Sequence, residues 1–227
     1  FYKFERPPFK AKNRFIRSAT WLGGADDKTG ELSPAEIKRH SEIAAGGAGT
    51  LITGLAYISN EGKSFNREWG LHSDERINDV AMLSEEVHKF DSRLIVQLCH
   101  SGGQRDASLA EGTVSFSPSG GIHPMRDFGT CPLSSHDIKK VIADFGAAAL
   151  RANRGGADGV EIHGGHGFLL TQFLSPSINK RDDRYGGPFE NRSRIFHEIL
   201  DEVRAAVGDD FSIWFKISMA EGTEKGY

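Results

Sequence analysis

Apolar and polar positions along this chain follow two alternating periods. Short apolar runs at residues 15–16, 51–54, 94–98, 159–162 and 213–217 have the length of strands covered on both faces, as in a parallel sheet. Between them, apolar residues recur at helical spacing. Ile138, Val141, Ile142, Phe145, Ala148, Ala149 and Ala152 fall on one face, and Ile195, Phe196, Ile199, Leu200, Val203, Ala206 and Val207 on another. The boundary residues agree. Ser33-Pro34-Ala35-Glu36 combines an N-cap serine, proline at the first helical position and glutamate at the capping-box position. Asp74 and Glu75 after Ser73 suit the positive end of a second helix, and glycines end helices at 46–47, 155–156 and 208.

Strands alternating with helices predict a parallel α/β fold. Polar residues then mark the strand ends: Thr20, Thr53, Gln97, His163 and Lys216 each stand at or near the C-terminal end of a successive strand. In a barrel those ends converge on one face, so the five positions predict a single site. A long Gly-, Ser- and Pro-rich stretch follows the third strand through Leu133, a length that in compact domains carries function or covers a site.

Composition narrows the classes. With 227 residues, 38% of them hydrophobic, and a net charge of −3, the chain buries a sizeable core and reads as one domain over 1–227, with no basic footprint for nucleic acid or an anionic membrane. Two cysteines, Cys99 and Cys131, lack metal-ligand spacing and are too few for a disulfide framework. No run approaches a membrane span and no signal-peptide pattern opens the chain, so a cytoplasmic protein acting on a small molecule is expected. His163 and His166 flank two glycines without a regularly spaced third ligand; two imidazole N–H groups polarising a substrate carbonyl fit this pattern better than a metal pair.

The run HGGHGFLLTQFLSPSINKRDDRYGGPFENR at 163–192, with KNRFIRSAT at 12–20 and LIVQLCHSGGQ at 94–104, resembles the signature of the old yellow enzyme family, FMN-dependent NAD(P)H:flavin oxidoreductases that include 2,4-dienoyl-CoA reductase. The resemblance implies a (β/α)8 TIM barrel, FMN as cofactor and NAD(P)H as reductant. It implies a hydrogen-bonding role toward the acceptor for His163 and His166, the flavin pyrimidine edge for Gln97, and a cation beside flavin N1 for Lys216. Ser18, Ala19 and Thr20 match the place where the family commonly has Pro-Met followed by Thr or Cys, on the O4 and N5 side, and Gly54 matches a small residue beside the ring. Phe168 is a departure, since many ene-reductases of the family carry there a tyrosine that protonates the substrate; phenylalanine has no proton to give. Charged residues from Arg181 to Arg192 read as loop architecture, pairing with one another.

At roughly 40 residues per strand-helix step, five steps fill this length, whereas a closed barrel needs about 250 or more. The expectation is therefore a barrel truncated after about five strands, either continuing beyond Tyr227 or covered by a second copy as a homo-oligomer. A non-catalytic barrel fragment serving as a binding or assembly module is the alternative function.

Overall fold

The computed structural model describes residues 2–110, 114–122, 126, 128–222 and 226. An antiparallel hairpin, β1 (Phe4–Arg6) and β2 (Phe9–Ala11), comes first. It is followed by β3 (Ile16–Arg17), α1 (Pro34–Ala45), β4 (Thr50–Tyr57), β5 (Trp69–Gly70), α2 (Ile77–His88) and β6 (Arg93–Cys99). The long connection holds α3 (Ala107–Ala110) and a small sheet of β7 (Phe116–Ser117), β8 (Gly121–Ile122) and β9 (Gly129–Pro132). Then come α4 (Ser135–Arg154), β10 (Gly159–Gly164), α5 (Leu169–Leu174), α6 (Phe189–Arg192), α7 (Arg194–Val207) and β11 (Ser212–Ile217).

The main sheet is parallel in the order β11-β10-β6-β4-β3, with β5 pairing the far end of β4. Each strand lies beside its predecessor in the chain. That one-way winding is the topology of a TIM barrel, since a doubly wound sheet reverses its order at a switch point. The expected fold class is therefore observed, as a curled half-barrel with helices outside.

Two apolar layers follow from strand alternation. Outward residues such as Leu51, Leu94, Val96, Leu98, Val160 and Ile162 pack with Val80, Leu83, Phe145, Ala149, Ile195 and Ile199 of the helices in the larger core. Inward residues Ile52 and Ile95 join Phe9 and Ala11 of the hairpin, with Ala19 and Trp214 packed against them. Phe9 meets Trp214 edge-on at 5.2 Å, and Arg93 Nε donates to the Lys10 carbonyl at 2.8 Å. The hairpin thus closes the N-terminal end of the barrel with apolar side chains.

Some boundaries differ from expectation. The strand expected at 51–54 runs on to Tyr57, and its pairing with β6 shifts register between Ile52 and Leu55. Thr53 and Gly54 sit inside that irregularity, not at a strand end, because the shift re-aims the chain without terminating pairing. The second helix begins with a 3-10 turn at Asp74–Arg76. Ser33 caps α1 by accepting from the Glu36 N–H at 3.3 Å, whereas the reciprocal box forms at α4, between Ser134 and Asp137. Glu36 instead turns its carboxyl toward the Gly24 N–H. Among the described residues no helix is long and apolar enough to cross a membrane.

Gly159 opens β10 against β11, and a Cβ there would meet the Ser212 carbonyl oxygen at 2.5 Å and Ile95 Cδ1 at 2.9 Å. Neither backbone nor interior side chain has room to yield, so Gly159→Ala should destabilise by about 1–3 kcal/mol, the cost of overpacking. Gly129→Ala, where nothing lies within 4 Å, should change stability by less than about 0.5 kcal/mol. Urea unfolding of both variants measures the difference; equal midpoints would contradict the packing described.

Candidate active site at the strand ends

Above the apolar plug the barrel interior turns polar. Glu161 and Gln97 face each other in register on β10 and β6, two residues further along their strands than the plug layer and on the same face. The Gln97 side-chain amide donates to Glu161 Oε1 at 2.6 Å, with both residues buried. Burial pushes the Glu161 carboxyl above its usual range, opposed by the Gln97 bond and by the charge of Lys216.

Thr53 repairs the irregularity of β4. Its Oγ1 accepts from the Gln97 backbone N–H at 3.1 Å and donates to the Gly54 carbonyl at 2.7 Å, taking over a ladder position that the register shift leaves open. A Cβ at Gly54 would lie 2.9 Å from the Thr20 carbonyl oxygen and 3.0 Å from Trp21 Cα. Gly54 therefore seats the loop after β3 directly across β4. In that loop the partly buried Ala19 packs down on the plug, while Ser18 and Thr20 are exposed.

Lys216 lies at the opposite edge of the sheet, yet its Nζ comes within 3.5 Å of Ser18 Oγ. The two edge strands thus approach across the mouth, which is what curling brings about. Thr20 Oγ1 accepts from Arg17 Nη1 at 2.7 Å, so a second cation stands beside this loop.

His163 ends the same inward row as Glu161 and pairs with Lys216 in register. It is 2% exposed. Its Nδ1 accepts the Gly165 N–H at 3.2 Å, so the ring proton resides on Nε2. Burial, reinforced by His166 and Lys216, pushes its pKa down to about 3, which makes it a neutral donor near pH 7. His166 is exposed, and adopts φ 58, a left-handed conformation unfavourable to a side chain by about 1–2 kcal/mol. Its N–H is held by Ser218 Oγ at 3.1 Å. The two rings stand perpendicular, with centroids 5.1 Å apart.

Phe168 is 4% exposed and packs edge-on against His163 at 4.9 Å. Behind it, Gln172 ties the loops together. Its Nε2 donates to the Ser101 and Gly167 carbonyls at 3.1 and 2.8 Å, and its Oε1 accepts from the Gly103 N–H at 3.0 Å. Further along, Arg181 pairs with Asp183 at 2.6 Å as the charge pattern predicts, but Arg184 reaches Glu198 on α7 and Arg192 binds the Leu174 carbonyl.

The structure therefore brings Ser18, Thr20, Gln97, His163, His166 and Lys216 to one end of the barrel, with Ala19 and Gly54 supporting them. Sequence reasoning missed Glu161, although a glutamate two residues before His163 in an apolar strand carries the period-two signal. It also missed Arg17 and the rings of Trp21 and Phe65, which come from separate loops.

The family model for the NADH:flavin oxidoreductase / NADH oxidase family matches residues 7–227. An NADPH dehydrogenase from Bacillus subtilis (strain 168) is 34% identical over 215 residues, covering 95% of this chain and 62% of the relative. Among solved structures, a 2-naphthoyl-CoA reductase complexed with 2-naphthoyl-CoA superposes with a TM-score of 0.93 at 26% identity, over 99% of this chain and 36% of that one. The old yellow enzyme homologue from Zymomonas mobilis gives 0.85 at 26% identity, over 94% and 62%. The chain thus spans about three fifths of the length of the curated relative. With the family model matching nearly its whole length and the strands wound one way as in a TIM barrel, the chain belongs to the NADH:flavin oxidoreductase / NADH oxidase family.

Proposed function

We propose that this polypeptide contributes the acceptor-binding strand ends of an FMN-dependent oxidoreductase that uses NAD(P)H to reduce an electron-poor small molecule such as an α,β-unsaturated carbonyl. The single observation that carries the reading is the buried, neutral His163, with its Nε2 proton free of the Gly165 bond, standing beside His166 above the Gln97–Glu161 pair.

The chemistry of the side chains fits a flavin. An amide, an ammonium and two hydroxyls around the mouth offer the mixed donors and acceptors that the polar edge of the ring requires. Gln97 and Lys216 would hold the pyrimidine edge, and the Ser18–Ala19 backbone with the Thr20 hydroxyl the O4 and N5 side. Gly54 serves by letting that loop settle over β4. When bound, FMN supplies the redox centre through which two electrons pass from NAD(P)H to the acceptor.

The protein's own part is to hold the acceptor and exclude alternatives. His163 donates from Nε2 to the acceptor oxygen, and His166 offers a second ring nitrogen to the same atom; both stabilise negative charge developing there. A neutral donor suits this task, because its bond strengthens as the oxygen becomes more basic. Lys216, paired with His163 in register, adds positive charge from the neighbouring strand. Phe168 fills the position next to His163 without a transferable proton, so protonation of the acceptor carbon falls to water or to another side chain.

In the FMN-loaded protein, His163→Ala should weaken binding of phenol, an analogue of the acceptor oxygen, by about 1–3 kcal/mol, the cost of an unpaired polar group. Titration by the change in flavin absorbance measures it. Phenol affinity unchanged in both His163→Ala and His166→Ala would remove the proposed role.

Phe168→Tyr should raise enone turnover by about 10²-fold, the usual gain from a placed general acid. The rate of flavin reduction by NAD(P)H should stay the same, since that half-reaction needs no proton on carbon. Stopped-flow measurement of the two half-reactions separates them, and equal enone rates would show that another donor already serves.

A further inference from the structure

One row of rings at the site is used neither by the histidine pair nor by the flavin-facing groups. From His163 the row continues outward. Phe168 lies edge-on at 4.9 Å, Phe65 stands edge-on to Phe168 at 6.4 Å, and Trp21 stacks on Phe65 at 4.9 Å with 27° between planes. All three separations lie within the range of favourable aromatic pairing. Exposure rises along the row: Phe168 is buried, Phe65 half-buried, and Trp21 is 42% exposed beside Leu22 at 38%.

The row is built, not incidental. Phe65 rides on a turn clamped by the buried Glu68, whose Oε2 accepts the Ser64 and Phe65 N–H groups at 2.6 and 3.0 Å. Trp21 follows the loop that Gly54 admits over β4. Its ring stacks on Phe65 of the connection after β4. A core cluster would bury its largest member; here the largest ring is the most accessible, at the rim of a site whose polar groups lie at the other end of the row. Ligand sites have this make-up, with apolar aromatic walls and a few placed polar groups.

We propose that Trp21 and Phe65 form a specificity wall that selects acceptors whose polarised oxygen is carried on an extended, flat aromatic ring system. This rests on the reading of His163 and His166 as the oxygen-binding pair. With the oxygen at the histidines, a single ring reaches Phe168, whereas a fused second ring extends along the row and gains apolar contact with the parts of Phe65 and Trp21 that their mutual stacking leaves open. The wall acts on which acceptor binds and touches no proton or electron transfer.

The test compares phenol with 2-naphthol, which share the hydroxyl and differ by one fused ring, in the FMN-loaded protein. Dissociation constants come from flavin absorbance. The unaltered protein should bind 2-naphthol at least about tenfold more tightly than phenol, in line with what one well-packed apolar extension contributes. Trp21→Ala should lower that ratio about fivefold or more while leaving phenol within about twofold; Trp21→Phe should keep most of the ratio. Because Trp21 is exposed, folding is not at risk, and Phe65→Ala supplies an independent second variant with the same expected direction. A ratio unchanged in Trp21→Ala and Phe65→Ala, or equal losses for both ligands, would overturn the wall. His163→Ala judges the underlying reading separately, since it should weaken both ligands together and leave their ratio intact.

Discussion

The buried hydrogen bond between Gln97 and Glu161, 2.6 Å long, sets the level at which the barrel interior changes from apolar to polar. An amide and a carboxyl taken out of water are tolerated only when they satisfy each other. Below them the side chains of Phe9, Ile52 and Ile95 carry no polar atom that would need a partner. Above them the same strand faces carry His163 and Lys216, paired in register. Period-two alternation then does the rest, because one inward residue fixes the direction of every second residue after it. Shift β10 by one residue and Glu161 and His163 would face the helices while Val160 and Ile162 would fill the site.

Loops complete what the strands begin. Gln172 joins the loops after β6 and β10 through three bonds, Gly54 lets the loop after β3 lie across β4, and Glu68 fastens the turn carrying Phe65. Burial pushes the Glu68 pKa up to about 8. The folded carboxyl holds its proton more tightly than the unfolded one, so its contribution to stability is present below the unfolded value and fades as pH rises through about 8. His163 and His100 act in the opposite sense. Their pKa values, pushed down to about 3 and about 4 by burial, favour folding above the ordinary histidine range and withdraw that support as pH falls through those values.

The strands themselves, the helix faces and the polar residues near the strand ends were legible in the sequence because each depends on spacing within one element. Gln97, His163 and Lys216 declared themselves as polar residues late in apolar runs or just after them. The register shift in β4 was not legible, since Thr53 replaces a ladder bond only once β6 is beside it. The plug was hidden for a similar reason: Phe9 and Trp214 lie far apart in the chain and meet only when the sheet curls. Trp21 and Phe65 likewise carry no local period, and their stacking is a product of two loops. Glu161 was the avoidable omission, being one step back along a face already identified by His163.

A crystal structure of the protein with FMN would measure the central claim, that these strand ends form one flavin and acceptor site. The expected result is a ring whose pyrimidine edge meets Gln97 and Lys216, with its O4 and N5 side at Ser18–Thr20 and one face turned to His163 and His166. A flavin seated elsewhere, such as on the apolar surface of Phe189, Phe196 and Phe215, would contradict it.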